Sequence, residues 1–240
     1  MSSLLNPPQG GLAEAMKKKQ ENNPSLEKVS LKGDLEGYIL SHIDEEPDLL
    51  KKLNRDTYVN VLRPRMLSGH LQGRILKMFC RMIRPTRVLE LGTFTGYSAL
   101  CIAEGLPENG IVYTIDNNEE LEEFVGRYFE QSPYKNKIHQ LTGDALETIK
   151  TLDEMFDLVF IDADKREYLA YYEAVFEKVN QGGFIIADNT LWDGKIVEEI
   201  DKNDEQTIGI MAFNDFVAQD IRVEKVIIPL RDGMTILMKK

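Results

Sequence analysis

The chain has 240 residues, with 29 Lys and Arg against 40 Asp and Glu, a formal net charge of -11 and 42% hydrophobic residues. That length and apolar content fit one large domain, or one domain with an extension, around a substantial core. The acidity argues against a nucleic-acid surface. No apolar run nears the ~20 residues that span a membrane, and the first eleven residues lack the basic-then-apolar pattern of a signal peptide. A cytoplasmic protein is the expected default.

Residues 1–32 carry Pro7-Pro8, Gly10-Gly11, Lys17-Lys18-Lys19 and Asn22-Asn23-Pro24. Such a mixture punctuates more than it packs, so 1–32 is expected as a mobile extension, with a short helix available over Leu12–Gln20. The remainder, 33–240, is expected to form one domain: a helical lid over 33–84 and an α/β core over 85–240. Leu35, Tyr38, Ile39 and His42 recur at helix spacing, as do Leu49, Leu50, Leu53 and Tyr58. Gly69–Met82 reads as a further helix.

From Arg87 onward strands alternate with helices. The strand candidates are Arg87–Leu91, Ile111–Ile115, Ile138–Leu141, Leu158–Ile161, Phe184–Ala187, Val223–Pro229 and Met234–Met238. Helical stretches lie near Ser98–Glu104, Leu121–Gln131, Ala145–Thr151, Tyr168–Val179 and Gly209–Gln219. This rhythm predicts a seven-stranded, mostly parallel sheet with helices on both faces. Arg231-Asp232-Gly233 marks a turn, so the sheet is expected to end in an antiparallel C-terminal hairpin. Cys80 and Cys101 belong to no CxxC pair and read as buried thiols.

Two strands end abruptly in oxygen-bearing side chains: Phe160-Ile161-Asp162-Ala163-Asp164-Lys165 and Ile185-Ile186-Ala187-Asp188-Asn189. Carboxyl ends of parallel strands line the ligand crevice, which makes Asp162, Asp188 and Asn189 a candidate set of hard ligands. Such a set suits magnesium or calcium better than zinc. The alternatives are helix caps for both aspartates and a solvated charge for Lys165 beside Arg166.

The first strand runs into Gly92-Thr93-Phe94-Thr95-Gly96, a turn that lets a ligand approach the backbone closely, with Thr95 or Ser98 available to cap the next helix. The spacing matches neither G-x-G-x-x-G nor the phosphate loop. Asp116 ends the second strand, where a carboxylate hydrogen-bonds a ribose diol or else caps the following helix. Gly143-Asp144-Ala145 offers a purine contact, or Asp144 is a cap only.

Taken in order, Glu90-Leu-Gly-Thr-Phe-Thr-Gly-Tyr-Ser98, Gly143-Asp-Ala145, Ile161-Asp-Ala-Asp-Lys165 and Ala187-Asp-Asn-Thr-Leu-Trp192 closely resemble the cation-dependent O-methyltransferases, including the caffeoyl-CoA and catechol enzymes. The resemblance covers roughly Leu35 to Lys240. It implies a Rossmann-like class I methyltransferase fold, an S-adenosylmethionine donor, a divalent cation (magnesium foremost, manganese or calcium as alternatives), a small phenolic acceptor of catechol type and a homodimer. It also implies residue roles. Glu90, Gly92, Thr93 and Ser98 surround the donor's methionine part, Asp116 its ribose, Ala145 and Asp144 its adenine. Asp164 is another donor contact, and Ser68, in a loop covering the donor, is one more. Asp162, Asp188 and Asn189 hold the metal, and Lys165 is the proposed general base. His70 and Asp193 stand where this chain departs from relatives, so both bear on the acceptor, as does Trp192, either an aromatic wall or a core anchor for its loop.

The mechanism expected is in-line transfer of methyl from sulfonium to a phenolic oxygen. The cation would chelate two adjacent oxygens and acidify them. Lys165 would take the proton as a neutral amine, a state that the neighbouring positive charge favours. The competing expectations are a metal-independent methyltransferase on the same fold and a noncatalytic donor-binding protein. An NAD-linked oxidoreductase is disfavoured by the missing glycine pattern.

Overall fold

The computed structural model describes residues 35–240. The expected extension, its short helix and the lysine cluster at 17–19 lie outside the described residues. By contact the chain divides into Met1–Glu45 and Glu46–Lys240. Of the first unit, a helical stretch over 35–40 is described.

In the second unit, seven strands form one sheet in the order β3-β2-β1-β4-β5-β7-β6. They are β1 (Arg87–Leu91), β2 (Ile111–Asp116), β3 (Ile138–Thr142), β4 (Phe156–Ile161), β5 (Val179–Asp188), β6 (Val223–Ile228) and β7 (Met234–Lys239). The first five are parallel; β7 runs antiparallel between β5 and β6. The helices are α1 (Asp48–Asn60), α2 (Gly69–Ile83), α3 (Tyr97–Gly105), α4 (Glu119–Gln131), α5 (Ala145–Thr151), α6 (Tyr168–Phe176) and α7 (Glu205–Gln219). The expected α/β fold, parallel sheet and C-terminal hairpin are all present.

Side chains alternate across the strands, as the period of two requires. Leu89, Leu91, Val159, Ile161, Ile185 and Ala187 face a core shared with α5, α6 and α7. Val88, Leu158, Phe160 and Ile186 face the other side, against Leu76 and Cys80 of α2 and Ile102 of α3. Residues 33–84, expected as a lid, thus contribute α2 to the helical layer of the sheet itself. Both cysteines are buried free thiols, as expected.

Several boundaries differ from the sequence reading. The helix expected to run to Val179 ends at Phe176, because Val179 pairs with Phe156 and opens β5 early. β6 stops at Ile228; Pro229 has no N–H for the ladder. α7 starts at Glu205 rather than Gly209, capped by the Asp204 carboxylate on the Thr207 N–H at 3.1 Å. Gly209 is mid-helix for a packing reason: a Cβ there would lie 2.4 Å from the Lys165 carbonyl oxygen. Neither Thr95 nor Ser98 caps α3, whose N-cap is Gly96 in a left-handed conformation. Among the described residues no helix is long and apolar enough to cross a membrane.

Candidate active site

A cavity of about 1180 Å³ opens at the carboxyl ends of the parallel strands, where ligands bind in open α/β sheets. Its wall brings together Ser68, Gly92, Thr93, Ser98, Asp116, Asp144, Ala145, Asp162, Asp164, Lys165, Asp188, Asn189 and Trp192. Apart from Ser68, which precedes α2, these lie at or after the strand ends from β1 to β5. Glu90, His70 and Asp193 do not line it. Glu90 lies behind the wall with no exposure, His70 is half-buried on the first turn of α2, and Asp193 is exposed.

On the β1–β3 side the polar groups organise backbone turns. Gly92 has φ +99, and a Cβ there would meet the Asp162 carbonyl oxygen at 2.1 Å; only glycine allows β1 and β4 to end side by side. Asp116 accepts from the Phe94 N–H at 2.7 Å and the Asn118 N–H at 2.9 Å. The cap of α4 is Asn118, not Asp116. Asp144 does cap α5, accepting from the Glu147 N–H at 2.9 Å, and remains on the cavity wall. Beneath them Thr93 donates to Thr114 at 2.6 Å, and Thr114 donates to Glu90 at 2.5 Å. Burial pushes the Glu90 carboxyl up to about 8; the hydroxyls of Ser98 and Thr114 pull it down, while Asp162 and Asp116 raise it further.

On the β4–β5 side the polar groups bind one another. Lys165, 8% exposed, donates to Asp162 Oδ1 at 2.7 Å and to the Tyr168 hydroxyl at 2.5 Å. It is buried rather than the solvated charge of the other alternative, while its neighbour Arg166 grips Asp164. That grip holds the Asp164 carboxyl below its usual range. Tyr168 donates onward to the Asp188 carbonyl at 2.9 Å, and burial keeps it a phenol. Asp188, 3% exposed, accepts from Gln72 Nε2 at 2.7 Å. Burial, then the charge of Asp162, holds its carboxyl above the usual range. Asp162 and Asp188 cap no helix, contrary to one alternative.

After β5 the backbone turns through left-handed Asn189 (φ 58), Trp192 (φ 46) and Asp193 (φ 53). Trp192 packs against the α5–α7 core, as the core-anchor alternative has it, and also lines the cavity. Phe213 is fully buried core. Among the described residues no three His, Cys, Asp or Glu side chains gather as a metal cluster. The oxygen set here is two carboxylates and an amide. Hard oxygens with mutually opposed negative charge fit a magnesium-class ion.

The O-methyltransferase family model matches residues 40–240. The chain is 34% identical over 216 residues to caffeoyl-CoA O-methyltransferase 1 of Zea mays, covering 85% of this chain and 83% of that one. The chain belongs to the family of S-adenosylmethionine-dependent O-methyltransferases. It is also 29% identical over 217 residues to the probable caffeoyl-CoA O-methyltransferase 2 of Dictyostelium discoideum, covering 88% and 94%. Among solved structures, the O-methyltransferase from Bacillus cereus in complex with SAH superposes with TM-score 0.80 at 25% identity, covering 86% of this chain and 97% of that chain. The family resemblance drawn from the four motifs is therefore correct.

Residues outside those motifs complete the site. Gln72 and Arg231 reach it from α2 and from the β6–β7 turn. A buried glutamine on an otherwise apolar helix face was the signal available for the first. Nothing local marks the second.

Proposed function

We propose that this methyltransferase moves a methyl group from S-adenosylmethionine to a hydroxyl of a catechol-type small molecule with the help of a divalent cation. The observation that supports it most is the meeting of Asp162, Asp188, Asn189 and Lys165 on the same cavity wall as the β1–β3 turns.

In this reading the donor lies along β1–β3. Gly92 and Thr93 admit its methionine part at the α3 N-terminus, Asp116 takes the ribose hydroxyls, and Asp144 with Ala145 borders the base. Ser68 and Asp164 close over it. Asp162, Asp188 and Asn189 would hold the cation, magnesium before manganese or calcium. When bound, it would chelate and acidify two adjacent phenolic oxygens. Lys165 stands beside Asp162 to take or hold the phenolic proton. The Tyr168 hydroxyl accepts a second hydrogen bond from Lys165 and helps to fix where its amine sits. Trp192 would stack on the acceptor ring. The shared cavity supplies alignment of sulfur, methyl and oxygen, worth a large part of the rate. The homodimer implied by the resemblance is part of the same proposal, and a light-scattering mass equal to one chain at all concentrations would defeat that part.

A metal-independent reaction is the second reading, and the Lys165–Asp162 ion pair favours it, since it already satisfies one carboxylate. A screen of vicinal diphenols with magnesium and with chelator separates the two. Turnover that persists in chelator defeats the cation reading; no methyl transfer to any vicinal diphenol defeats the acceptor class.

A further inference from the structure

Gln72 is polar, 1% exposed, and sits one turn into α2 on the face that buries Leu76 and Cys80. An amide buried there is costly unless both its ends are bonded. Its Oε1 accepts from Arg231 at 2.8 Å, and its Nε2 donates to Asp188 Oδ2 at 2.7 Å. The two ends are not interchangeable. A guanidinium only donates and an ionised carboxylate only accepts, so a flipped amide would set donor against donor and acceptor against acceptor. Arg231 therefore fixes which end of Gln72 faces Asp188.

Arg231 also donates to the Ser68 carbonyl. The same turn accepts the loop that follows Asp188: the Gly233 carbonyl takes the Thr190 N–H at 3.1 Å, and the Asp232 carbonyl takes the Leu191 N–H at 2.7 Å. One hairpin tip thus fastens the start of α2 and the end of β5. Interposing a neutral amide also matters electrically. A guanidinium placed directly on Asp188 would form a charge-assisted pair and neutralise it. Through Gln72 the arginine orients the carboxylate at a distance and leaves its charge for a cation.

We propose that Gln72, oriented by Arg231, is a positioning residue that holds the Asp188 carboxylate ready for a divalent cation. This rests on the cation reading above. Partners of this kind, one bond behind a ligand, typically change metal affinity by about 10–100-fold. The alternative is a core amide that merely satisfies itself.

The test is Mn²⁺ titration of the full chain, read from the electron paramagnetic resonance signal of free Mn²⁺, with S-adenosylhomocysteine affinity measured by calorimetry beside it. Gln72→Met is expected to weaken Mn²⁺ binding about tenfold or more while S-adenosylhomocysteine affinity stays within about twofold. Arg231→Met is expected to weaken Mn²⁺ too, and the double variant to lose less than the product of the single losses, because both act through one contact. Unchanged Mn²⁺ affinity in Gln72→Met, or losses that multiply independently, overturns the proposal while the cation reading stands. A wild-type chain that binds no Mn²⁺ overturns the cation reading and this proposal with it. Should Gln72→Met fail to fold, Arg231→Met on the exposed turn carries the same measurement, and unchanged affinity there is equally decisive.

Discussion

The two halves of the cavity are built differently. At the ends of β1–β3, the carboxylates on the cavity wall hold backbone: Asp116 takes two main-chain N–H groups and Asp144 caps a helix. At the ends of β4 and β5, most bonds run between side chains: Lys165 to Asp162 and Tyr168, and Gln72 to Asp188 and Arg231, the two groups meeting where Tyr168 donates to the Asp188 main-chain carbonyl. The first arrangement makes a preformed surface for a ligand bound whole. The second concentrates opposed charge in a dry place, where protons and cations respond to small changes. Substitutions in the first half should therefore act on binding, and in the second on chemistry.

The largest effect that tests this division is loss of the cation half. Asp162→Ala removes a proposed ligand and the partner of Lys165, and several kcal/mol of transition-state stabilisation corresponds to a fall of about 10³-fold or more in methyl transfer. Circular dichroism should show the fold kept, and S-adenosylhomocysteine should still bind. If its affinity drops as far as the turnover does, the two halves are not separate. Next in size is Lys165→Met. Loss of a positioned proton-transfer group costs about 10²–10⁴-fold, expected in kcat at saturating donor and acceptor. An effect confined to KM would make Lys165 a binding residue. Smaller again is Asp116→Asn, which keeps one oxygen for the Phe94 or Asn118 N–H but removes the charge. A hydrogen bond to a charged group is worth about 1.5–3 kcal/mol, so donor affinity should fall by about tenfold or more, with kcat little changed once donor saturates. A kcat loss matching that of Lys165→Met would erase the contrast between the halves.

The same contrast explains what could be read in advance. Part of the donor half rests on contacts between near neighbours, although Asp116 also reaches the Phe94 N–H across 22 positions. Asp144 and Glu147, or Asp116 and Asn118, are two or three residues apart, so motif and turn chemistry describe them from sequence alone. Even there the caps differ: Asn118 closes the start of α4, which sets aside the cap alternative for Asp116, and Gly96 begins α3 in place of Thr95 or Ser98. In the other half, Asp162, Asp188 and Lys165 were visible as abrupt ends of apolar strands. Their partners were not, because Gln72 reaches Asp188 across 116 positions and Arg231 reaches Gln72 across 159. No local pattern encodes such a contact; only the strand order, with β7 inserted beside β5, brings the hairpin tip to the site. Gly209 is a similar case. It reads as a helix boundary, yet it lies within α7 because the helix backbone must pass close to Lys165. His70 and Asp193 stand out only as departures from a family pattern, which says nothing of where a side chain lies, and neither lines the cavity.

The gentlest probe of the donor half is Glu90, which touches no proposed cation ligand and stands under the α3 N-terminus. Its carboxyl is raised to about 8, mainly by burial, against about 4.3 in an unfolded chain. The sign follows from proton counts. Between these values the native state holds a proton that the unfolded state has released, so stability of the ligand-free protein falls as pH rises. The contribution is intact below pH ~4, declines through the interval and is fully lost above pH ~8, at up to about 1.4 kcal/mol per pH unit. Glu90→Gln keeps a hydrogen-bonding oxygen for Thr114 and cannot ionise. Its melting temperature relative to wild type should therefore climb between pH 6 and pH 8.5, by a few degrees. Saturating S-adenosylmethionine, whose positive charge favours the ionised carboxyl, should shrink that climb. A difference in melting temperature that stays flat across the interval would mean that Glu90 ionises normally, and that the donor half is as charged at rest as the cation half.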